Sequence, residues 1–323
     1  SVAVDAGALT LSGRIAADAP GGGRVRLWSR DDLNLAASVQ ARSTRSGANG
    51  GDVQAGSALG SVRLQTGLAI DARGDSPGDG RIVLRSGRDD DSGRVAVERD
   101  AGLDTAAALS AAEVIVEAVR RYEGATRIAA GASNGSTLGQ ATLLADAEAF
   151  AATHGAAELA RLGLDGQAQA SLRPGVEVVA TGALELASDW NLYNADRSQP
   201  GMLTLRAAGG LRLNGSLSDG FLNAGRPANA DAQTLAQAGP AWSLRLVAGA
   251  DLAAADPLAA QAGAAADLVV ANNRVVRTTA GSIELAAARD IVLASGSGQQ
   301  AVVYATGRPD APELAGVELS LPG

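Results

Sequence analysis

A short unit that returns at a fixed spacing constrains this chain more than any other feature. In "GSIELAAARDIVLASG", Ile283 and Leu285 stand eight positions ahead of Ile291 and Leu293. The same offset of eight separates Leu203 and Leu205 from Leu211 and Leu213, Val25 and Leu27 from Leu33 and Leu35, and Leu244 from Leu252. Looser copies lie at 8–20 and 60–74. Each half alternates with period two and is too short for a helix, so each reads as a strand. A self-similar unit at constant spacing points to a repeat architecture. Antiparallel hairpins would show two-residue Asn-Gly or Asp-Gly turns between matched strands. Here the linkers run to four residues or more. Stacked parallel coils fit better, each strand pairing with its counterpart one coil away at about 4.8 Å.

Composition agrees with a narrow core. Apolar residues make up 46% of the 323 residues, yet aromatics make up only 2%, with 41 Gly. Leu, Val, Ile and Ala then fill the interior, and glycine serves the corners. The net charge of -8 repels phosphate backbones and argues against a nucleic-acid partner. There is no Cys, which removes disulfides and thiolate chemistry. All basic residues are Arg, a bias attributed to coding composition. No apolar run reaches the length of a membrane span. The sequence opens in strand pattern at "SVAVDAGALTLSG", without an initiator Met or a signal peptide, so an interior segment of a longer protein is expected.

Three regions follow from the rhythm. Residues 1–103 are β-helix coils, 104–170 an irregular and helical excursion, and 171–323 further coils with loops at 223–240 and 253–267. The Ala-rich 253–267 stretch would also suit a short helix. Within the excursion, "AAEVIVEAVRRYEG" reads as a strand. A helix is expected near 137–162, capped by Ser136 or Thr137, with Leu143, Ala147, Phe150 and His154 on one face and Gly155 ending or bending it.

Several stretches resemble the filamentous-haemagglutinin-like large exoproteins of Gram-negative bacteria, adhesins exported by two-partner secretion. They are "LRPGVEVVATGALELASDWNL", "PGMLTLRAAGGLRLNGSLSDGF", "WSLRLVAGADLAAADP", "VVRTTAGSIELAAARDIVLAS" and "AVVYATGRPDAPE". The resemblance covers roughly the second half of the chain; the first hundred residues match only as generic coils. It implies an all-β, right-handed parallel β-helix (solenoid) within a rod-like surface protein. It also implies an outer-membrane secretion partner for the parent chain, and carries over no catalytic residue and no cofactor.

The residues offer little catalytic chemistry. His154 is the sole histidine, so a Ser-His-Asp triad or a zinc site has almost nothing to build on. "RDDDSG" and "GDSPGDG" gather Asp in turns but lack calcium-loop spacings, and read as solvated turns. Asp189 and Asp219 flank distinctive stretches and are the candidates for a carboxylate pair in a carbohydrate-active β-helix enzyme. Arg73, Gly74 and Asp75 form an Arg-Gly-Asp tripeptide in a turn, a candidate receptor-binding site and equally plain turn chemistry. Trp28, Trp190 and Trp242 are candidate sugar platforms, or single large residues at strand faces or coil edges.

The sequence therefore leads to a non-enzymatic rod segment of a secreted, cell-surface adhesin, presenting loops or a distal domain to a host or bacterial receptor or glycan. Alternatives are the stalk of a contact-dependent toxin delivery protein and a carbohydrate-active β-helix enzyme. Unpaired strands at both ends, "SVAVDAGALTLSG" and "GVELSLPG", are expected to drive end-to-end self-association.

Overall fold

The computed structural model describes residues 1–74, 80–193, 200–225, 236–237, 239, 241–296 and 299–307. Among these residues strand accounts for 47% and helix for 9%, a mostly β structure with parallel sheets, compatible with the all-β class. Two compact units emerge: Ser1–Arg120 with Phe150–Pro174 and Ala253–Asp256, and Arg121–Ala149 with Gly175–Leu252 and Pro257–Gly323. The C-terminal "GVELSLPG" lies outside the described residues, as does most of the 223–240 loop.

In the first unit, strands Val2–Ala6, Arg24–Ser29, Asp52–Ser57, Arg81–Gly87 and Glu113–Glu123 lie side by side, all parallel. Register places Val2, Val25, Val53, Ile82 and Val114 on one rung, and Val4, Leu27, Ala55, Leu84 and Val116 on another. A second parallel sheet is centred on Leu33–Gln40. Its first half pairs with Val62–Leu64 and its second half with Ala69–Asp71. The inward rungs of both sheets meet in one core. Side chains of similar size sit about 4.8 Å apart along each rung, which suits Val, Leu, Ile and Ala and explains the scarcity of rings.

Among the described residues, three parallel sheets have strands in the second unit. One coil consists of Met202–Ala207, Leu211–Leu213 and Leu217–Ser218; the next of Ser243–Ala248, Leu268–Val270 and Val275–Thr278; the next of Ile283–Ala287, Ile291–Leu293 and Val302–Ala305. Corresponding strands pair in parallel, so Val178, Leu205, Leu246 and Leu285 share a rung. The first three are fully buried, whereas Leu285 is half-buried on the last described coil. The solenoid-like stacking expected from the eight-residue offset is therefore present in each unit. The only antiparallel pair of named strands among the described residues is Ser295–Gly296 with Gln299–Gln300.

Several local expectations change. Leu252 is not in a strand. Its place in the coil is taken by Leu268, after an insertion of turns at 250–267 that contains no helix. Glu113–Glu123 is a strand as read, but it continues the main sheet over seven paired residues instead of leaving it. The helix runs Gln140–Arg161. Thr137 does not cap it; Thr137–Gly139 pairs with Arg127–Ala129, which holds the chain extended to the helix start. Gly155 lies inside the helix, in open space that asks for no bend. The stop is Gly163 at φ 69°, with Gly163 N–H bonding the Ala160 carbonyl and Leu164 N–H the Leu159 carbonyl, a Schellman motif. The buried stripe Leu143, Ala147 and Phe150 is the face read from sequence, and Glu158 extends it.

Glycine fixes one corner of the first unit. Gly23, Gly51 and Gly80 occupy the same position on three successive coils, each just ahead of its strand. A Cβ there would stand 1.8, 1.8 and 2.1 Å from the carbonyl oxygens of Ala17, Ala41 and Ala72. The close approach lets Gly23 N–H reach the Ala41 carbonyl at 2.9 Å and Gly51 N–H the Ala72 carbonyl at 2.8 Å. Gly51→Ala should therefore cost about 3 kcal/mol or more, through overpacking against backbone that cannot give. Gly87→Ala, with nothing within 4 Å of its Cβ, should stay within about 0.5 kcal/mol. Urea denaturation of both variants measures the contrast; equal effects would mean the corner relaxes. In the second unit, Leu205→Asp should cost roughly 4 kcal/mol or more by burying an unpaired charge. The same change at half-buried Leu285 should cost markedly less, and matched midpoints for the two would show that the rung is not graded in burial.

Candidate functional site

The residues singled out in the sequence do not converge. Asp189 precedes strand Trp190–Asn191, and its Oδ1 accepts from the Ser216 amide of the adjacent coil at 2.7 Å. Asp219 follows strand Leu217–Ser218, is fully buried, and its Oδ2 accepts from the Trp242 amide at 2.6 Å. One carboxylate is a surface cap and the other a buried backbone clasp, at opposite ends of paired strands. They do not form the facing pair that glycoside hydrolysis needs.

The three tryptophans are 1–2% exposed and offer no stacking surface. Trp28 pairs in register with Gly56, and a Cβ at Gly56 would stand 2.4 Å from its ring. The Trp242 ring similarly fills the space above Gly201, at 2.5 Å from a built Cβ. Each indole takes volume that a glycine on the neighbouring coil leaves open. Both lie inside the fold, not in front of it.

His154 is half-buried, stacked on Phe150 at 5.6 Å and packed against Gly93. It serves packing in the first unit. Four residues on, Glu158 is buried and accepts from Val95 N–H at 2.9 Å and from the Arg161 guanidinium at 2.6 to 3.2 Å. Burial alone would raise this carboxyl. The Arg161 and Val95 hydrogen bonds outweigh it and hold the group below the ordinary glutamate range.

In the Arg-Gly-Asp tripeptide, the exposed Arg73 guanidinium grips Asp71 at 2.9 and 2.7 Å. This bidentate contact lowers the Asp71 carboxyl and raises Arg73. Gly74 is required by packing, since a Cβ would stand 2.4 Å from Gly50 N. Asp75 lies outside the described residues, as do the remaining turn residues of "GDSPGDG" up to Asp79. In "RDDDSG", Asp89 Oδ1 accepts from both Ser92 N–H and Ser92 Oγ at 2.7 Å, a turn cap that lowers its carboxyl. Among the described residues no group of three or more acidic, His or Cys side chains could hold a metal ion.

Sequence reading missed the charged rungs. On the outward positions of the first sheet in the first unit, Arg24, Asp52, Arg81 and Glu113 alternate in sign on successive coils. Arg81 reaches Asp52 at 3.0 Å. Arg85 pairs with Glu117, which is fully buried. In the second unit, Arg245 meets Glu284 in register at 3.1 Å, and the buried Arg206 reaches diagonally to Glu177 at 3.2 Å. The signal was available as opposite charges recurring at equivalent positions of the repeat.

A groove of about 820 Å³ also escaped notice. It lies in the second unit, on the sheet built from Arg127–Ala129, Leu184–Leu186, Leu211–Leu213, Leu268–Val270 and Ile291–Leu293. Ala183 and Gly210 stand on the rung that carries Asp267 and Asp290 on later coils, and their small size opens the space. Polar groups line it. Arg212 Nε donates to Asn214 Oδ1 at 2.8 Å, and Asn214 Nδ2 donates to Glu185 Oε1 at 2.6 Å. Arg289 grips Asp267 at 2.6 and 2.5 Å and lowers its carboxyl.

No protein-family model matches the chain, and no curated protein or solved structure matches it.

The Glu158 clasp has a pH signature. Because its folded carboxyl is held below the ordinary value, its stabilisation is complete above the unfolded glutamate pKa near about 4.3 and is lost as pH falls through the lower folded value. Glu158→Gln should therefore lower the thermal midpoint at neutral pH, with the gap to the native chain closing in acid. A gap that stays constant with pH would show that the ionised carboxylate is not what stabilises this contact.

Proposed function

We propose that this chain is a segment of a right-handed parallel β-helix, and that it serves as the rod of a secreted, cell-surface filamentous adhesin. The observation that carries the reading is the in-register parallel stacking of coil on coil in both units. Backbone hydrogen bonds along the stacking direction make a stiff spacer, and parallel crossovers are right-handed in nearly all known folds. The sequence resemblance to two-partner-secretion exoproteins supplies the setting: export through an outer-membrane partner, and display away from the cell to a receptor or glycan. A non-enzymatic role accords with the positions of Asp189 and Asp219, neither of which faces the other across a cleft. Neighbouring coils, from the same polypeptide or a second copy, would stack on the edges at Val2–Ala6 and Ile291–Leu293, where Ile291 and Leu293 are each 46% exposed.

Surface proteolysis tests the placement. Trypsin applied to intact source cells should release peptides of this chain, cut at exposed Arg residues such as Arg14 and Arg212. Mass spectrometry should find them in the shaved fraction before any cytosolic marker appears. Recovery only after lysis would overturn the surface reading.

A further inference from the structure

We propose that the groove on the second unit binds an uncharged polysaccharide lying across the coils. The ligand class is argued from the groove itself; only its setting at a cell surface rests on the adhesin reading.

Direction comes first. Glu185, Arg212, Val269 and Arg289 come from successive coils, so the groove runs along the stack and not along a strand. Each of these coils contributes at least one polar group, and Glu185 and Arg212 stand in register at about 4.8 Å, close to the length of one hexose in an extended chain. A peptide strand would seek an open sheet edge, whereas this surface is the side-chain face of a paired sheet.

The polar chemistry fits hydroxyls. Glu185 and Asp267 accept, Arg212 and Arg289 donate, and Asn214 does both. Sugar hydroxyls can donate to the first two and accept from the others at once. The two carboxylates balance the two guanidinium groups, and Asp267 holds Arg289 in a bidentate pair. An anionic polymer would find no net positive charge there and would face a chain of net charge -8. Arg212 keeps binding capacity, because it commits only Nε, to Asn214. Half-buried Val269 and exposed Ala265 supply the apolar surface that the C–H faces of a sugar ring can cover, over the buried Leu184 and Leu211. The volume lies in the usual range of ligand sites, about 300 to 1,000 Å³.

Native gels cast with dextran, galactomannan or hydroxyethylcellulose, against one cast with polygalacturonate, test the assignment. The native chain should be retarded in at least one neutral gel and not in the anionic one. Gly210→Leu fills the groove without a backbone clash, since the nearest atom to its Cβ is the Asp267 carbonyl oxygen at 3.5 Å. Arg212→Ala removes the free donors from an exposed position. Each should weaken apparent binding about tenfold or more while leaving the circular dichroism spectrum unchanged, and Arg14→Ala in the first unit should bind as the native chain does. Unchanged mobility in every neutral gel, retardation by polygalacturonate alone, or full binding by folded Gly210→Leu or Arg212→Ala would overturn the proposal. None of these outcomes bears on where surface proteolysis places the chain, so the two readings fail separately.

Discussion

The parallel backbone ladder between coils is the constraint from which the remaining features follow. Once Val25 pairs with Val2 and Val53, every residue of these strands lies over its counterpart at about 4.8 Å, with no freedom to stagger. Inside, this brings like onto like, and rungs of Val, Leu and Ala make up the buried core. Outside, like charges on one rung would repel at that separation, by about 1 kcal/mol in water and more under cover. On one rung of the first unit the sequence resolves this by alternating sign, as Arg24, Asp52, Arg81 and Glu113; where Asp267 and Asp290 adjoin on a rung of the second unit, Arg289 pairs with both. Burial sharpens the demand. A one-coil slip would strip Glu117 of Arg85 inside the protein, so these pairs specify register more than they add stability.

The exclusive use of arginine takes on a structural meaning in this frame. A planar guanidinium can serve two acceptors at once, and its weak hydration lowers the cost of burial. Arg206 does so, joining Glu177 on the neighbouring strand to the Asp251 carbonyl at 2.7 Å. Arg277, buried beside the Phe221 ring, gathers Ser218 Oγ, Tyr304 OH and the Asn223 carbonyl. A lysine ammonium lacks the forked geometry to hold these partners. Coding bias can enrich arginine, but it does not explain these contacts.

Periodicity made the strands legible, and the eight-residue offset made their parallel stacking legible. Val25–Leu35 and Leu203–Leu213 fall where that offset puts them. The offset misled at Leu252, because an insertion displaces the true strand to Leu268 while leaving an apolar residue at the expected position. A coil tolerates such an insertion because only the ladder must close, and a turn of any length can bridge its corner. The helix face was legible from three-four spacing. Its end near 161 was legible too, but its start was not, since Thr137 is a good cap in isolation but is taken by strand pairing with Arg127–Ala129. The tryptophans were legible as single large residues at strands, but the glycines that make room for Trp28 and Trp242, Gly56 and Gly201, were not, because they stand one coil away and far off in sequence.

The same separation hid the groove. Its lining spans Thr126 to Arg289, and no two of its charged residues form a recognisable motif. Catalytic motifs are legible when chemistry is concentrated on one turn or helix. On a stack of coils, a surface is assembled from single residues contributed by each repeat, and register alone brings them together. Small residues then matter as much as charged ones: Ala183 and Gly210 create the space that Asp267 and Asp290 would close. The informative comparison in such a sequence is therefore between equivalent rungs of successive coils. A rung that departs from its neighbours in size or charge marks where the rod does something other than hold itself together.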